Sequence, residues 1–131
     1  MINRQANNLE NNLNVEFIGL KDNIEVLNLI NKSIAVVSAT RLYEGQPTLL
    51  CEASSLGVAS IFPRTGGVSE YFPQNYQLSF EQFQYDDLVN KIKLVKNTKF
   101  IQQVGAANKK FITDFLDEEK LYNNLKEIIN D

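Results

Sequence analysis

The sequence predicts an α/β fold, a parallel sheet flanked by helices, and two observations carry that prediction. Three short apolar runs, residues 15–18 (VEFI), 34–37 (IAVV) and 58–62 (VASIF), alternate with segments of helical periodicity. The last two are continuous in hydrophobicity, the pattern of strands covered on both faces. Strand, helix, strand in that order implies right-handed crossovers and parallel neighbours. At 131 residues and 44% hydrophobic content, the chain fits one domain, and neither a repeat nor a linker divides it.

Taken in order, residues 2–13 set Ile2, Ala6, Leu9 and Leu13 at helical spacing and predict a short amphipathic helix. The strand over 15–18 follows, closed by Gly19. Asp22 is a fitting N-cap for a helix over 23–30, with Ile24, Leu27 and Ile30 on one face. Beyond the buried strand over 34–37, a loop runs to Gly45, and Pro47 pre-sets φ for a helix over 48–56 that Gly57 terminates. The strand over 58–62 is expected to stop at Pro63, Gly66 and Gly67 open a short helix through Glu70 and Tyr71, and residues 76–80 form a last strand. Helices over 86–96, 99–115 and 117–129 complete the chain.

The chain contains no histidine, which removes the commonest general base, the Ser-His and Cys-His nucleophile pairs, and most zinc sites. Its one cysteine, Cys51, lies in an apolar run and reads as a buried structural thiol. A net charge of -3 with scattered lysines argues against nucleic acid as a partner. No stretch approaches the roughly 18 apolar residues of a membrane span, and the N-terminal residues lack the features of a signal peptide. The expected location is the cytoplasm, with peripheral attachment at the inner membrane face as a further expectation.

In an open parallel sheet, ligands bind beyond the carboxyl ends of the strands, and the loop over 38–46 falls there. The helix after it begins with free N–H groups whose dipole favours an anion; with Pro47 unable to donate, Thr48 and Leu49 are the useful donors, beside Gln46. Glu52 follows Thr48 and Leu49 on the same helical face, roughly 6 Å along the axis at about 1.5 Å per residue. That is about the spacing from a diphosphate to a ribose diol. Glu44 lies on the other side of the phosphate position, where a transferred sugar would be. The competing reading is that Glu44 and Glu52 are solvated carboxylates near a helix start, and that Gly66 and Gly67 serve only a turn.

Together, Glu44-Gly45-x-Pro47, Glu52-Ala53, Gly57 and Gly66-Gly67-Val68-Ser69-Glu70 resemble the nucleotide-sugar-binding half of a retaining GT-B glycosyltransferase of family 4, the glycosyl transferases group 1. Val15-Glu16-Phe17-Ile18-Gly19 is similar to that family's V-x-F-x-G strand. The resemblance implies a Rossmann-like domain equivalent to an incomplete C-terminal half of a GT-B fold, acting in polysaccharide or glycoconjugate biosynthesis. It implies a UDP-sugar or similar nucleotide sugar as substrate, with no cofactor and no metal. Glu44 is then the catalytic-site residue that contacts donor-sugar hydroxyls. Thr48 and Leu49 offer N–H groups to the diphosphate, Gly45 and Gln46 belong to the same donor-binding set, Glu52 holds the ribose, and Gly66, Gly67 and Glu70 shape the adjoining wall.

Three departures from the family pattern qualify this. The segment carrying the family's diphosphate-neutralising Arg and Lys is missing, the acceptor-binding domain is missing, and Pro73-Gln74-Asn75-Tyr76 stands where an Asn-Gly loop is expected. The chain therefore reads as a fragment lacking the first strands and inactive or very weak alone. A central gap in the sheet would follow, so that either the strand over 15–18 shifts to pair with a neighbour or another chain fills the gap, a second copy included. An alternative reading is a non-catalytic half or regulatory nucleotide-binding module that completes another subunit.

Overall fold

A computed structural model describes Asn12 and residues 14–130. Five α-helices flank a three-stranded parallel sheet: α1 Asn23–Lys32, β1 Ala35–Val37, α2 Thr48–Ser55, β2 Ala59–Arg64, a 3₁₀ helix Val68–Tyr71, β3 Ser79–Glu81, α3 Tyr85–Leu94, α4 Thr98–Phe115 and α5 Glu118–Asn130. The strand order is β1-β2-β3, with Ala35 opposite Ala59 and Phe62 opposite Ser79. The α/β architecture is the one the alternating pattern predicts.

Helix α1 starts where Asp22 accepts from Glu25 N–H at 2.8 Å while Glu25 reaches back to Asp22 N–H, a complete capping box. Its inward face is Val26 and Ile30 rather than Ile24, which is exposed. Side chains alternate across the strands. Ala35, Ala59, Ile61 and Phe80 pack with Leu88 of α3 and Ile101 of α4, whereas Val36 and Phe62 face the side covered by α1, α2 and the 3₁₀ helix. Both faces of the sheet are thereby buried, as continuous apolar runs require.

Four details differ from the sequence expectations. Residues 15–18 form no strand: Val15, Phe17 and Ile18 are exposed, the Val15 N–H donates locally to Asn12 O at 2.9 Å, and no strand pairs with the run among the described residues. A strand is stable only with a ladder beside it, and this run has none among the described residues, so its expected shift onto a neighbour does not occur there. Strand β2 continues through Pro63 to Arg64. Ser38 N–H donates to Ile61 O at 2.8 Å, so odd-numbered backbone groups of β2 face β1, and Pro63 points past Val37, where β1 has ended and no ladder bond is lost. The last strand begins at Ser79 instead of residue 76 because Asn75, at φ 62°, turns the chain and sends Tyr76 inward. Cys51 is half-buried, with desolvation and then the Glu52 charge raising its pKa above the ordinary value. The helix anticipated over 2–13 falls almost wholly outside the described residues.

Candidate active site

Two glycine-dependent loops meet beyond the carboxyl ends of β1 and β2. Gly67 N–H donates to Glu44 O at 3.0 Å. Gly66, at φ 55°, lies so close to the Glu44 carbonyl that a Cβ would overlap it, and a Cβ on Gly67 would stand 3.1 Å from Gly45 O. What approaches these glycines is the neighbouring loop. The pair thus ties the segment carrying Glu44 to the wall ahead of the 3₁₀ helix.

Glu44 is further held by Thr40, whose hydroxyl donates to Glu44 Oε1 at 3.3 Å and accepts Leu42 N–H at 3.1 Å. Thr40 escaped the sequence reading, although a threonine two residues before an N–H is a usual loop-stabilising spacing.

Helix α2 begins at Thr48 with Pro47 as N-cap. The first N–H groups to find acceptors are those of Leu50 and Cys51, both on Pro47 O at 3.0 Å. Among the described residues, the N–H groups of Thr48 and Leu49 donate to no protein acceptor, and no side chain caps this end. They border a cavity of about 310 Å³ lined by Ser38, Thr40, Glu44, Gln46, Thr48 and Leu49, with Phe62 and Val68 at its base. The fold therefore brings Glu44, Gln46, Thr48 and Leu49 to one cavity, facing free donors with positive potential.

Glu52 and Glu70 are placed elsewhere. Glu52 is half-buried one turn along α2, where Oε1 accepts Asn23 Nδ2–H at 3.0 Å from the start of α1. That bond spans 29 positions, and no local signal in the sequence pointed to Asn23. Glu70 lines a second, larger cavity, with Arg64, whose lining has Phe62 in common with the first. Gly45 is exposed at the turn between Glu44 and Gln46. Among the described residues no three His, Cys, Asp or Glu side chains gather as a metal-binding set, and no helix is long and apolar enough to cross a membrane.

In comparison with known proteins, a family model described as "Glycosyl transferases group 1" matches residues 1–111. No curated protein and no solved structure matches the chain. The matched span takes in the loop of Glu44, all of α2 and the Gly66-Gly67 turn. The chain belongs to the group 1 glycosyl transferase family.

Proposed function

We propose that the chain forms the nucleotide-sugar-binding part of a retaining, metal-independent glycosyltransferase. The observation that carries this reading is the meeting of Glu44 with the free N–H groups of Thr48 and Leu49 around one cavity. A diphosphate placed there accepts from both N–H groups and from the Thr48 hydroxyl, and the helix dipole adds to the attraction. Glu44, steadied by Thr40, then faces the hydroxyls of the sugar. Gly66 and Gly67 keep it there.

Glu52 is the proposed ribose ligand. Asn23 occupies Oε1 and orients the carboxylate, leaving Oε2 to accept from a ribose hydroxyl. Charge-assisted bonds of this kind are worth about 1.5 to 3 kcal/mol. Calorimetry with UDP and a UDP-sugar tests the assignment: Glu52→Ala should weaken both by about tenfold to a hundredfold, and 2′,3′-dideoxy-UDP should bind both proteins alike. Equal UDP affinity for the two proteins removes Glu52 from this role.

Donor binding by the chain alone is expected to be weak and transfer slight, since among the described residues no Lys or Arg lines the cavity. A second reading is favoured by the outer edge of β1, which has no strand beside it among the described residues while Ile34 and Val37 stand exposed. Here the chain is a non-catalytic half or nucleotide-binding module that completes another subunit. Activity appearing only on mixing with an acceptor-binding subunit distinguishes it.

A further inference from the structure

The larger cavity, about 860 Å³, is lined by residues of β2, the 3₁₀ helix, the turn before β3 and α4, and has Phe62 in common with the cavity of Glu44; its volume is within the range of natural ligand sites. Its wall combines Arg64, Glu70, Gln74 and Asn75 with the aromatic rings of Phe111 and Phe115. Phe111 and Phe115 are stacked at 5.9 Å with 15° between planes, and Tyr71 meets Phe115 edge-on at 5.4 Å. Bracing from two sides fixes the Phe115 ring, yet it remains 42% exposed. A partly wet aromatic platform held in this way is ready for an apolar face.

The polar groups opposite it are free in a particular combination. Among the described residues, the Glu70 carboxylate and the Gln74 and Asn75 carboxamides have no hydrogen-bond partner, so the wall offers acceptors and donors together. Arg64 is oriented by Glu81 at 3.0 Å and by Ser79 at 3.4 Å, which neutralises it while leaving guanidinium N–H groups unused. A neutralised cation beside an unpaired carboxylate disfavours an anion. Mixed donors and acceptors disfavour a purely apolar guest. Hydroxyl groups, which both donate and accept, on a ring with an apolar C–H face satisfy both walls.

We propose that this cavity binds a neutral saccharide of one or two pyranose rings, separately from the cavity of Glu44. The ring lies on Phe115, and its hydroxyls are held by Glu70, Gln74 and Asn75.

The test is amide-resolved NMR titration of the full 131-residue chain with maltose, cellobiose and N,N′-diacetylchitobiose, with UDP and glucose 1-phosphate in parallel. At least one disaccharide should shift amides of residues 69–76 and 111–115 with a dissociation constant of order millimolar, leaving Thr48 and Leu49 unmoved. Gln74→Ala and Phe115→Ala should each weaken it at least about fivefold without altering shifts caused by UDP. Both side chains are at the surface, so retained amide dispersion certifies the fold. No shift from any of the three at about 50 mM, shifts confined to residues 44–49, unchanged binding by both variants, or stronger binding of glucose 1-phosphate overturns the proposal. UDP binding is read from a different set of amides, so failure of the nucleotide-sugar reading is distinguished from failure of this one.

Discussion

The hydroxyl of Tyr76 donates to the carbonyl of Ser60 at 2.6 Å and accepts the N–H of the same residue at 3.1 Å. Strand β3 pairs with β2 only from Phe62 onward, so the side chain completes the ladder where β3 does not reach. Asn108 of α4 donates to the same oxygen at 3.3 Å, and the ring stacks on Phe62 at 5.3 Å. One side chain thus joins the central strand, the turn before β3 and the longest helix.

Tyr76→Phe keeps the ring and removes the oxygen, leaving Ser60 N–H, Ser60 O and Asn108 Nδ2 without that partner. Each unsatisfied buried group costs about 1 to 3 kcal/mol, and partial relaxation brings the sum to about 2 to 4 kcal/mol. Urea denaturation should show a lower midpoint at unchanged slope. A loss below about 0.5 kcal/mol would mean that water replaces the hydroxyl.

Burial raises the Tyr76 pKa above its ordinary 10.0, against smaller lowering effects of the Asn108 and Ser60 hydrogen bonds. The unfolded chain then releases this proton at lower pH than the folded one, so folding retains a proton that unfolding loses. The stability tied to the neutral phenol is fully present below pH 10.0 and is lost as pH rises from there through the folded value. Denaturation midpoints across that window should fall more steeply for the wild type than for Tyr76→Phe. Parallel curves would place the alkaline sensitivity in other residues.

Gly66 and Gly67 separate two effects that adjacent glycines usually blur. Gly66→Ala places a Cβ on a left-handed residue and into the Glu44 carbonyl, a backbone atom that cannot swing away; the expected loss is about 2 to 4 kcal/mol. Gly67, at φ -84° with its nearest neighbour 3.1 Å away, asks for a shift of only a few tenths of an ångström. Gly67→Ala should cost about 1 kcal/mol or less. In calorimetry, UDP-sugar affinity should fall further for Gly66→Ala, because it moves the loop of Glu44. Equal effects would mean that the two loops adjust together.

The legible parts of the sequence were those in which neighbours along the chain decide the outcome. Asp22 and Glu25 announce the start of α1, and the runs 34–37 and 58–62 give β1 and β2 within a residue or two, because capping and continuous hydrophobicity are local signals. Thr48 and Leu49 were legible as free donors for the same reason. Long-range partners decided the rest. Residues 15–18 have the composition of a strand and none of the pairing, Pro63 continues a strand because β1 is too short to need its N–H, and Glu52 turns to Asn23. Glu70, grouped by motif with Gly66 and Gly67, does stay beside Gly67, where a Cβ would stand 3.9 Å from its carboxylate, yet it lines a different cavity, completed by Gln74, Asn75 and the end of α4.

Gly105 offers a test in which intrinsic propensity and packing have opposite signs. It lies inside α4, where alanine is favoured over glycine by about 1 kcal/mol, so a helix considered alone gains from Gly105→Ala. The Cβ, however, would be driven into the carbonyl of Gly57, whose own φ of 77° fixes the turn between α2 and β2. Both colliding atoms belong to tightly held segments, for Val58 N–H is bonded to Ala53 O at 2.8 Å and Ile101, Asn108 and Ile112 on the same face of α4 are buried. Separating α4 from that turn would open a gap along Ile101 and Ile112, at a cost of several kcal/mol. Packing should win, and Gly105→Ala should lower the unfolding free energy by about 2 to 4 kcal/mol, seen as a fall in the thermal midpoint with helical circular dichroism retained. A rise of the midpoint would show that α4 is free to ride outward, and with it the surface that carries Phe111 and Phe115.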